Sequence, residues 1–174
     1  MTNLLRFIEM RALFQFPDPV NEVAARLVAG GVVILCALAL LSQSPWMIVL
    51  IAAGFVARVL TGPRISPLAL FVTRVLIPAL PAEERPTPGP PKRFAQGIGA
   101  TLSVAAVVLH FGFGFTLAAF VLVAMVMVAA SLEAFAGLCL GCKIFAILMR
   151  LGILPESVCE ACADISRRRP VTQS

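Results

Sequence analysis

The fold is decided by residues 115–138, which read FTLAAFVLVAMVMVAASLEAFAGL. Glu133 is the single charged residue in this run. The run is longer than the ~20 residues that an α-helix needs to cross the hydrocarbon core of a bilayer. Residues 115–138 therefore predict a transmembrane helix.

The composition agrees with a membrane location. Of 174 residues, 60% are hydrophobic and 13% are charged, which is too few charges to cover a soluble domain of this size. Arg6, Glu9 and Arg11 interrupt the early apolar residues, so the N-terminus does not resemble a cleaved signal peptide. The net charge of +5 comes from basic residues that flank apolar runs, and no basic stripe with interleaved aromatic residues indicates nucleic-acid binding.

Three further apolar runs precede residues 115–138 in the chain. Gly112 and Gly114 provide a turn between residues 94–111 and 115–138. Upstream, the turn Ser42-Gln43-Ser44-Pro45 divides a run that starts at Asp18-Pro19 from a shorter run at residues 46–60. We therefore predict an all-α membrane protein with four transmembrane helices in two antiparallel hairpins.

Shorter segments complete the predicted architecture. Residues 2–14, 68–77 and 143–154 are too short to span and mix charged with apolar residues, as interfacial helices do. Residues 68–77 suit a re-entrant helix equally well. The proline-rich residues 78–91 predict an exposed, extended loop. The expected domains are an N-terminal interfacial helix at 1–16, a four-helix membrane domain at 17–154 and a Cys-x-x-Cys tail at 155–174.

The positive charges predict an orientation. The turns at residues 42–45 and 112–114 contain no lysine or arginine, whereas both termini and the connection at residues 61–93 contain nearly all fourteen. Positively charged loops stay in the cytoplasm. We expect a multi-pass protein of the cell (inner) membrane, with both termini and the C-terminal cysteines on the cytoplasmic side.

Two Cys-x-x-Cys pairs carry the clearest chemistry of the chain. Cys139 and Cys142 form the first pair, and Cys159 and Cys162 follow after sixteen intervening residues. This spacing suits a zinc site with four thiolates, while each pair alone also has the spacing of a redox dithiol. A permanent disulfide is disfavoured in the reducing cytoplasm.

The reactivity of the first pair depends on a helix break. If a new helix starts near Gly141, Cys142 lies close to a helix N-terminus, where the dipole and Lys143 lower the thiol pKa. If the helix continues, both thiols lie near its C-terminus and the dipole opposes the thiolate. Acidic residues surround the second pair, which favours zinc there or a resolving role.

Charged residues inside the apolar runs form a second candidate site. Arg26, Arg58 and Glu133 all fall in the cytoplasmic half of the predicted helices. Because an isolated charge is costly in a membrane, we expect an ion-pair cluster that joins three helices. The cluster is either a structural clamp or a cationic pocket for an anion, a quinone oxygen or a substrate carboxylate.

Six motifs occur in order along the chain. They are Asn21-Glu22-Val23-Ala24-Ala25-Arg26, Phe55 with Arg58, Gly62-Pro63-Arg64-Ile65-Ser66-Pro67, Pro91-Lys92-Arg93-Phe94-Ala95, Leu132-Glu133 and Cys139-Leu140-Gly141-Cys142-Lys143. Together they resemble the bacterial membrane family catalogued as domain of unknown function 4395. The resemblance covers residues 17–148 and implies a four-helix integral membrane protein. Members of this family occur beside thioredoxin-like and sulfurtransferase proteins, which implies thiol or sulfur handling; the pair at Cys159 and Cys162 lies outside the resemblance.

Three hypotheses about function follow. In the first, Cys139 and Cys142 are catalytic and exchange disulfide or persulfide with a thioredoxin-like or rhodanese-like protein. In the second, the chain is a non-catalytic membrane scaffold in which Cys139, Cys142, Cys159 and Cys162 bind zinc. The third is a transporter of small anions or sulfur compounds that uses Arg26, Arg58 and Glu133. Membership of a larger membrane complex and enzymatic activity both stay open.

Overall fold

The structure, a computed structural model, describes residues 19–80 and 85–153. The interfacial helix expected at residues 1–16 and the tail expected at 155–174 lie outside these ranges. The described residues form two short strands and six helices, some of which contain a π-helical turn. In chain order they are β1 (Val20–Asn21), α1 (Glu22–Ser42), α2 (Pro45–Thr61), α3 (Pro67–Ala79), β2 (Pro86–Thr87), α4 (Gly89–Gly112), α5 (Thr116–Ala136) and α6 (Leu140–Arg150).

Three of these helices are long and apolar enough to cross a membrane, namely α1, α4 and α5. Helix α2 is apolar too, but its 17 residues fall short of the ~20 needed. The all-α architecture is thus present, and three of the four predicted transmembrane helices are long and apolar enough to cross a membrane.

The four long helices pack as a ring. Helix α1 packs mainly on α5, α2 packs on α4, α4 contacts α5, and α1 contacts α2. Fully buried alanines, Ala39, Ala106 and Ala119, allow close approach of the helices in the centre. The large apolar side chains of Leu41 and Leu117 are 83% and 80% exposed, which suits contact with lipid.

Helix α1 begins later than the Asp18-Pro19 signal predicts. Val20 and Asn21 are extended and pair antiparallel with β2, and the Glu22 backbone N–H donates to the Arg85 carbonyl at 2.8 Å. Asn21 is the N-cap, and its Oδ1 accepts the Val23 backbone N–H at 2.9 Å. Pairing with a distant segment therefore sets the start of α1.

Helix α4 begins earlier than predicted. The sequence predicts a span at residues 94–111, but the helix already starts at Gly89 and includes Lys92 and Arg93. Pro90 and Pro91 occupy its first turn, where a missing N–H costs nothing because the first N–H groups have no helical partner. Lys92 is consequently a helical residue that faces into the bundle.

Helix α3 packs against α1. Its Ala69 and Val72 are buried against Ala24 and Val28 of α1. A π-helical turn at Val72–Leu76 interrupts the helix. The Arg74 side chain on this helix is exposed.

Candidate functional site

Polar side chains collect at one end of the helical ring. The up-and-down path brings the start of α1, the end of α2, the start of α4 and the end of α5 to this end, together with α6. We call it the charged end, because it contains Arg26, Arg58, Lys92 and Glu133. The two tight turns lie at the opposite end.

Glu133 forms an ion pair with Lys92, which the sequence did not indicate as its partner. Lys92 Nζ donates to Glu133 Oε1 at 2.5 Å, and the two side chains are 12% and 15% exposed. We expected Glu133 to pair with Arg26 and Arg58, and that prediction is wrong in this respect. The ion pair joins α4 to α5 because the early start of α4 places Lys92 opposite Glu133.

Arg58 is held by a different set of groups. Its Nε–H donates to Gln96 Oε1 at 3.0 Å, and its guanidinium lies 4.5 Å from the centre of the Phe55 ring. Arg58 is only 5% exposed, and its Nη2 has no hydrogen-bond partner among the described residues. The contact with Phe55 is a cation–π interaction, which offsets part of the cost of burying the charge.

Arg26 caps the end of α5. Its Nε and Nη2 donate to the Ala134 carbonyl at 3.4 and 3.3 Å, and Nη2 also donates to the Phe135 carbonyl at 3.3 Å. These carbonyls belong to the last turn, where no helical N–H satisfies them and the helix dipole attracts cations. The three predicted residues thus share one end of the bundle, but they do not form one ion-pair cluster.

The helix break between α5 and α6 lies at Gly137. This residue has φ +66°, and it ends α5 while the N–H groups of Gly137 and Leu138 donate to the carbonyls of Glu133 and Leu132 at 3.2 and 3.0 Å. Such a left-handed cap favours glycine. Of the two possibilities left open by the sequence, the structure therefore has the broken helix.

Cys139 is the N-cap of α6. Its Sγ accepts the backbone N–H of Cys142 at 3.4 Å, and its carbonyl accepts the Lys143 backbone N–H at 3.1 Å. Cys139 is buried at 9% exposed, and Cys142 is partly exposed. Both thiols lie in the first turn of α6, where the helix dipole favours negative charge.

The two thiols have opposite pKa shifts. A hydrogen bond from the Cys142 thiol lowers the pKa of Cys139, helped by the Lys92 ammonium and the Cys142 backbone N–H against burial and Glu133. The same hydrogen bond, together with burial, raises the pKa of Cys142. The surroundings therefore favour the thiolate at Cys139 and the protonated thiol at Cys142.

Gly141 allows α6 to lie against α4. A Cβ at this position would lie 2.5 Å from both Cα and Cβ of Ala95, and a backbone atom cannot move aside easily. The close approach brings the first turn of α6 near Lys92. Glycine is thus required here by contact between helices rather than by a backbone angle.

A cavity of about 220 Å³ lies beside Cys139 and among five helices. Three lining residues carry polar side chains, Gln96, Glu133 and Cys139, and they all belong to the charged end. The other described lining residues are apolar or glycine, for example Val32 and Leu102. A mostly apolar cavity with a few convergent polar groups is typical of a small-molecule site.

The zinc hypothesis needs residues beyond the described ranges. Cys159 and Cys162 lie outside them, so the structure does not place the second pair relative to the first. Within residues 19–80 and 85–153, no group of three His, Cys, Asp or Glu residues is arranged to hold a metal ion. Cys139 and Cys142 are the two members of the predicted set that the structure brings together.

Sequence reasoning missed Lys92 and Gln96 as site residues. We had placed Lys92 as a residue flanking a membrane span. The Gly89-Pro90-Pro91 sequence is the signal that could have found both, because it starts a helix in which positions 92 and 96 lie one turn apart on the same face.

The fold and the site define a class: a helical bundle of membrane-spanning character with a dithiol at its charged end. The chain belongs to the family described as Domain of unknown function (DUF4395), whose profile matches residues 20–150. No curated protein and no solved structure matches the chain. The match includes Cys139, Cys142 and all residues of the charged end, and it stops short of Cys159 and Cys162.

Proposed function

We propose that this chain is a membrane thiol-redox or sulfur-transfer protein whose Cys139–Cys142 dithiol exchanges with a soluble thioredoxin-like or rhodanese-like protein. The observation that carries the proposal is the asymmetry of the pair. Cys139 caps α6 and accepts hydrogen bonds from Cys142, so one thiol is activated while the other retains its proton. A nucleophile and a resolving thiol have these properties.

The exchange with a disulfide proceeds in two steps. The Cys139 thiolate attacks one sulfur of the partner's disulfide, an S–S bond to Cys139 forms, and the partner's other sulfur leaves as a thiolate. Cys142 then loses its proton and attacks Cys139, which releases the partner's second thiolate and leaves the Cys139–Cys142 disulfide. The partner gains two electrons and the dithiol loses two; the reverse sequence restores the dithiol.

Sulfur transfer uses the same groups. The Cys139 thiolate takes the outer sulfur of a partner persulfide, and the partner leaves as a thiol. Attack of Cys142 on Cys139 would then form the disulfide and release hydrosulfide. Both routes need a soluble partner that can reach the charged end. The proposal therefore places four transmembrane helices in the inner membrane, of which α2 is the shortest. The charged end faces the cytoplasm. The lysines and arginines of that end support this orientation.

A redox titration tests the proposal directly. The full chain, purified in detergent, is equilibrated in glutathione buffers of graded potential, and each cysteine is assigned as free or bonded by peptide mass spectrometry. We expect Cys139 and Cys142 to pass reversibly between dithiol and disulfide. A Cys142→Ser variant should accumulate a mixed disulfide at Cys139 with a thioredoxin-like protein, since nothing resolves it.

Two controls separate the alternatives. Cys139→Ser should trap far less mixed disulfide than Cys142→Ser, because the nucleophile is lost; equal trapping would contradict the assigned roles. The double variant Cys159→Ser/Cys162→Ser should keep the Cys139–Cys142 transition. If the unmodified chain instead binds one zinc ion with four protected thiols, and this double variant loses the metal, the redox proposal is wrong and the scaffold stands.

A further inference from the structure

The cavity beside Cys139 continues from the charged end into the apolar part of the bundle. Glu133 lies at one end of its α5 wall and Met125 at the other. At a rise of 1.5 Å per residue, these positions are about 12 Å apart along the helix axis. The cavity is therefore elongated, with polar groups at one end and apolar walls along the rest.

The apolar part of the cavity reaches the outer surface of the bundle. Met125 and Ile144 line the cavity, and they are also 53% and 45% exposed. Met125 belongs to α5, one of the helices long and apolar enough to span a membrane. A ligand in the cavity can therefore extend an apolar chain past Met125 into lipid.

Gln96 lines the polar end of the cavity and provides hydrogen-bond donors. Arginine can only donate hydrogen bonds, so the bond from Arg58 fixes the Gln96 oxygen as its acceptor and leaves the Gln96 amide N–H groups as donors. Lys92 pairs with the lining residue Glu133 and balances its carboxylate charge. The Gln96 donors suit a ligand whose head carries carbonyl oxygens.

We propose that the cavity binds the ring of a membrane-soluble quinone, which accepts the electrons of the Cys139–Cys142 dithiol while its hydrophobic tail extends into lipid. This inference rests on the proposed thiol-redox function and names the oxidant. The volume of about 220 Å³ lies below the roughly 300–1,000 Å³ of sites that enclose a drug-sized ligand, so it suits a ring with its tail outside. An acyl chain alone would leave the polar end unmatched.

The electron transfer balances with one proton from solvent. The Cys139 thiolate adds to a ring carbon, and the carbonyl oxygen takes a proton from solvent water. Cys142 gives its proton to the second oxygen and attacks the Cys139 sulfur, so the S–S bond forms and the bond to the ring breaks. The quinone leaves as a quinol with two added electrons and two protons, and the dithiol becomes a disulfide.

A single-turnover experiment tests the inference. The reduced full chain in lipid nanodiscs is mixed with decyl-substituted dimethoxy-methyl-benzoquinone without any soluble partner, and quinol and the Cys139–Cys142 disulfide are quantified together. We expect one quinol for each disulfide. Ala129→Phe, which fills the cavity wall, should slow the reaction at least tenfold, whereas Ala118→Phe on the exposed side of the same helix should not.

A second variant tests the polar end. Gln96→Glu keeps an oxygen acceptor for Arg58 but removes the amide donors, so we expect weaker binding of radiolabelled quinone by equilibrium dialysis at least fivefold. Equal rates in Ala129→Phe and Ala118→Phe would place the reaction outside the cavity and overturn the inference. Displacement of the quinone by decanol at equal concentration would do the same, because it would show that the cavity holds a chain rather than a ring.

Failures of the two proposals give different results. If the dithiol cycles in glutathione buffers but neither binds nor reduces the quinone, the quinone inference is wrong and the thiol-redox function stands. If the quinone binds but Cys139 and Cys142 form no disulfide in glutathione buffers or with quinone, the redox function is wrong and the electron-transfer inference falls with it.

Discussion

At the residue scale, the chemistry of the site depends on which of two cysteines is the thiolate. The motif Cys139-Leu140-Gly141-Cys142 is symmetric in its cysteines, but the structure is not. Cys139 accepts hydrogen bonds from Cys142 and lies beside the cavity, while Cys142 donates. This difference leads to two predictions about individual side chains.

The first prediction concerns the pH dependence of Cys139 alkylation. Because only the thiolate reacts and the pKa of Cys139 is lowered, its reaction with iodoacetamide should reach half of the maximal rate at a lower pH than an ordinary thiol. Cys142→Ala removes the thiol that donates to Cys139 but keeps the backbone N–H of residue 142, and it should move this midpoint to higher pH. The measurement is peptide mass spectrometry over a pH series.

Cys142→Ser is the matched control for this experiment. Its hydroxyl still donates a hydrogen bond, so the midpoint should move less than in Cys142→Ala. A midpoint that is the same in all three proteins would show that Cys142 does not control the ionisation of Cys139.

The second prediction concerns the Lys92–Glu133 ion pair. Lys92→Met leaves the Glu133 carboxylate without its partner while both positions are mostly shielded from water. We expect a loss of about 1–3 kcal/mol in the free energy of unfolding, since an unsatisfied polar group keeps its desolvation cost. Thermal unfolding in detergent measures the change.

The double variant Lys92→Met/Glu133→Leu completes the cycle. It removes both charges, so it should recover much of the stability that Lys92→Met loses. If the effects of Lys92→Met and Glu133→Leu on the free energy of unfolding simply add in the double variant, the ion pair contributes no coupling energy. The role of the ion pair in stabilising the charged end would then be wrong.

At the element scale, two glycines decide where α6 lies. Gly137 ends α5 in a left-handed conformation, and Gly141 lets α6 contact Ala95 of α4. Together they turn the chain back across the charged end instead of extending α5. The positions of both thiols follow from this turn.

The third prediction tests the contact between α6 and α4. Gly141→Ala should push α6 away from Ala95, which lowers stability by about 1–3 kcal/mol as overpacking does and weakens the influence of Lys92 on Cys139. The Cys139 alkylation midpoint should therefore move to higher pH. Thermal unfolding and the pH series described above measure the two effects.

Gly97→Ala is the control on the facing helix. A Cβ at Gly97 meets nothing within 4 Å, so this change should leave the alkylation midpoint alone and stabilise α4 by up to ~1 kcal/mol through helix propensity. Similar losses in the two variants would argue against a specific contact at Gly141.

At the scale of the whole molecule, the up-and-down path puts every charged residue of the site at one end. At the other end, the ends of α2 and α4 beside the turns contain aromatic residues such as Trp46 and Phe111, whose rings lie 5.8 Å apart. Aromatic residues of this kind are common at membrane interfaces. The separation of charged residues from aromatic residues predicts one orientation of the bundle in the membrane. This orientation requires that α1, α2, α4 and α5 all cross it.

The fourth prediction tests this topology. Alkaline phosphatase fused after Gly114 should be active, because the turn between α4 and α5 is expected outside the cytoplasm, and a fluorescent protein fused after Ser174 should be fluorescent. If α2 did not cross, the ends of α1 and α4 would lie on opposite sides of the membrane. A phosphatase inserted at Gln43 would then differ in activity from the one at Gly114.

The amino-acid sequence by itself determined the helical class and the family, and it selected Cys139 and Cys142 as candidates, because hydropathy and motif spacing are local properties. Tertiary structure alone decided the partner of Glu133, the start of α1 and the position of the cavity. These depend on contacts between residues far apart in the chain, such as Lys92 with Glu133 and Asn21 with Pro86. The opposite pKa shifts of Cys139 and Cys142 also required the structure, since the same motif has opposite electrostatics at the two ends of a helix.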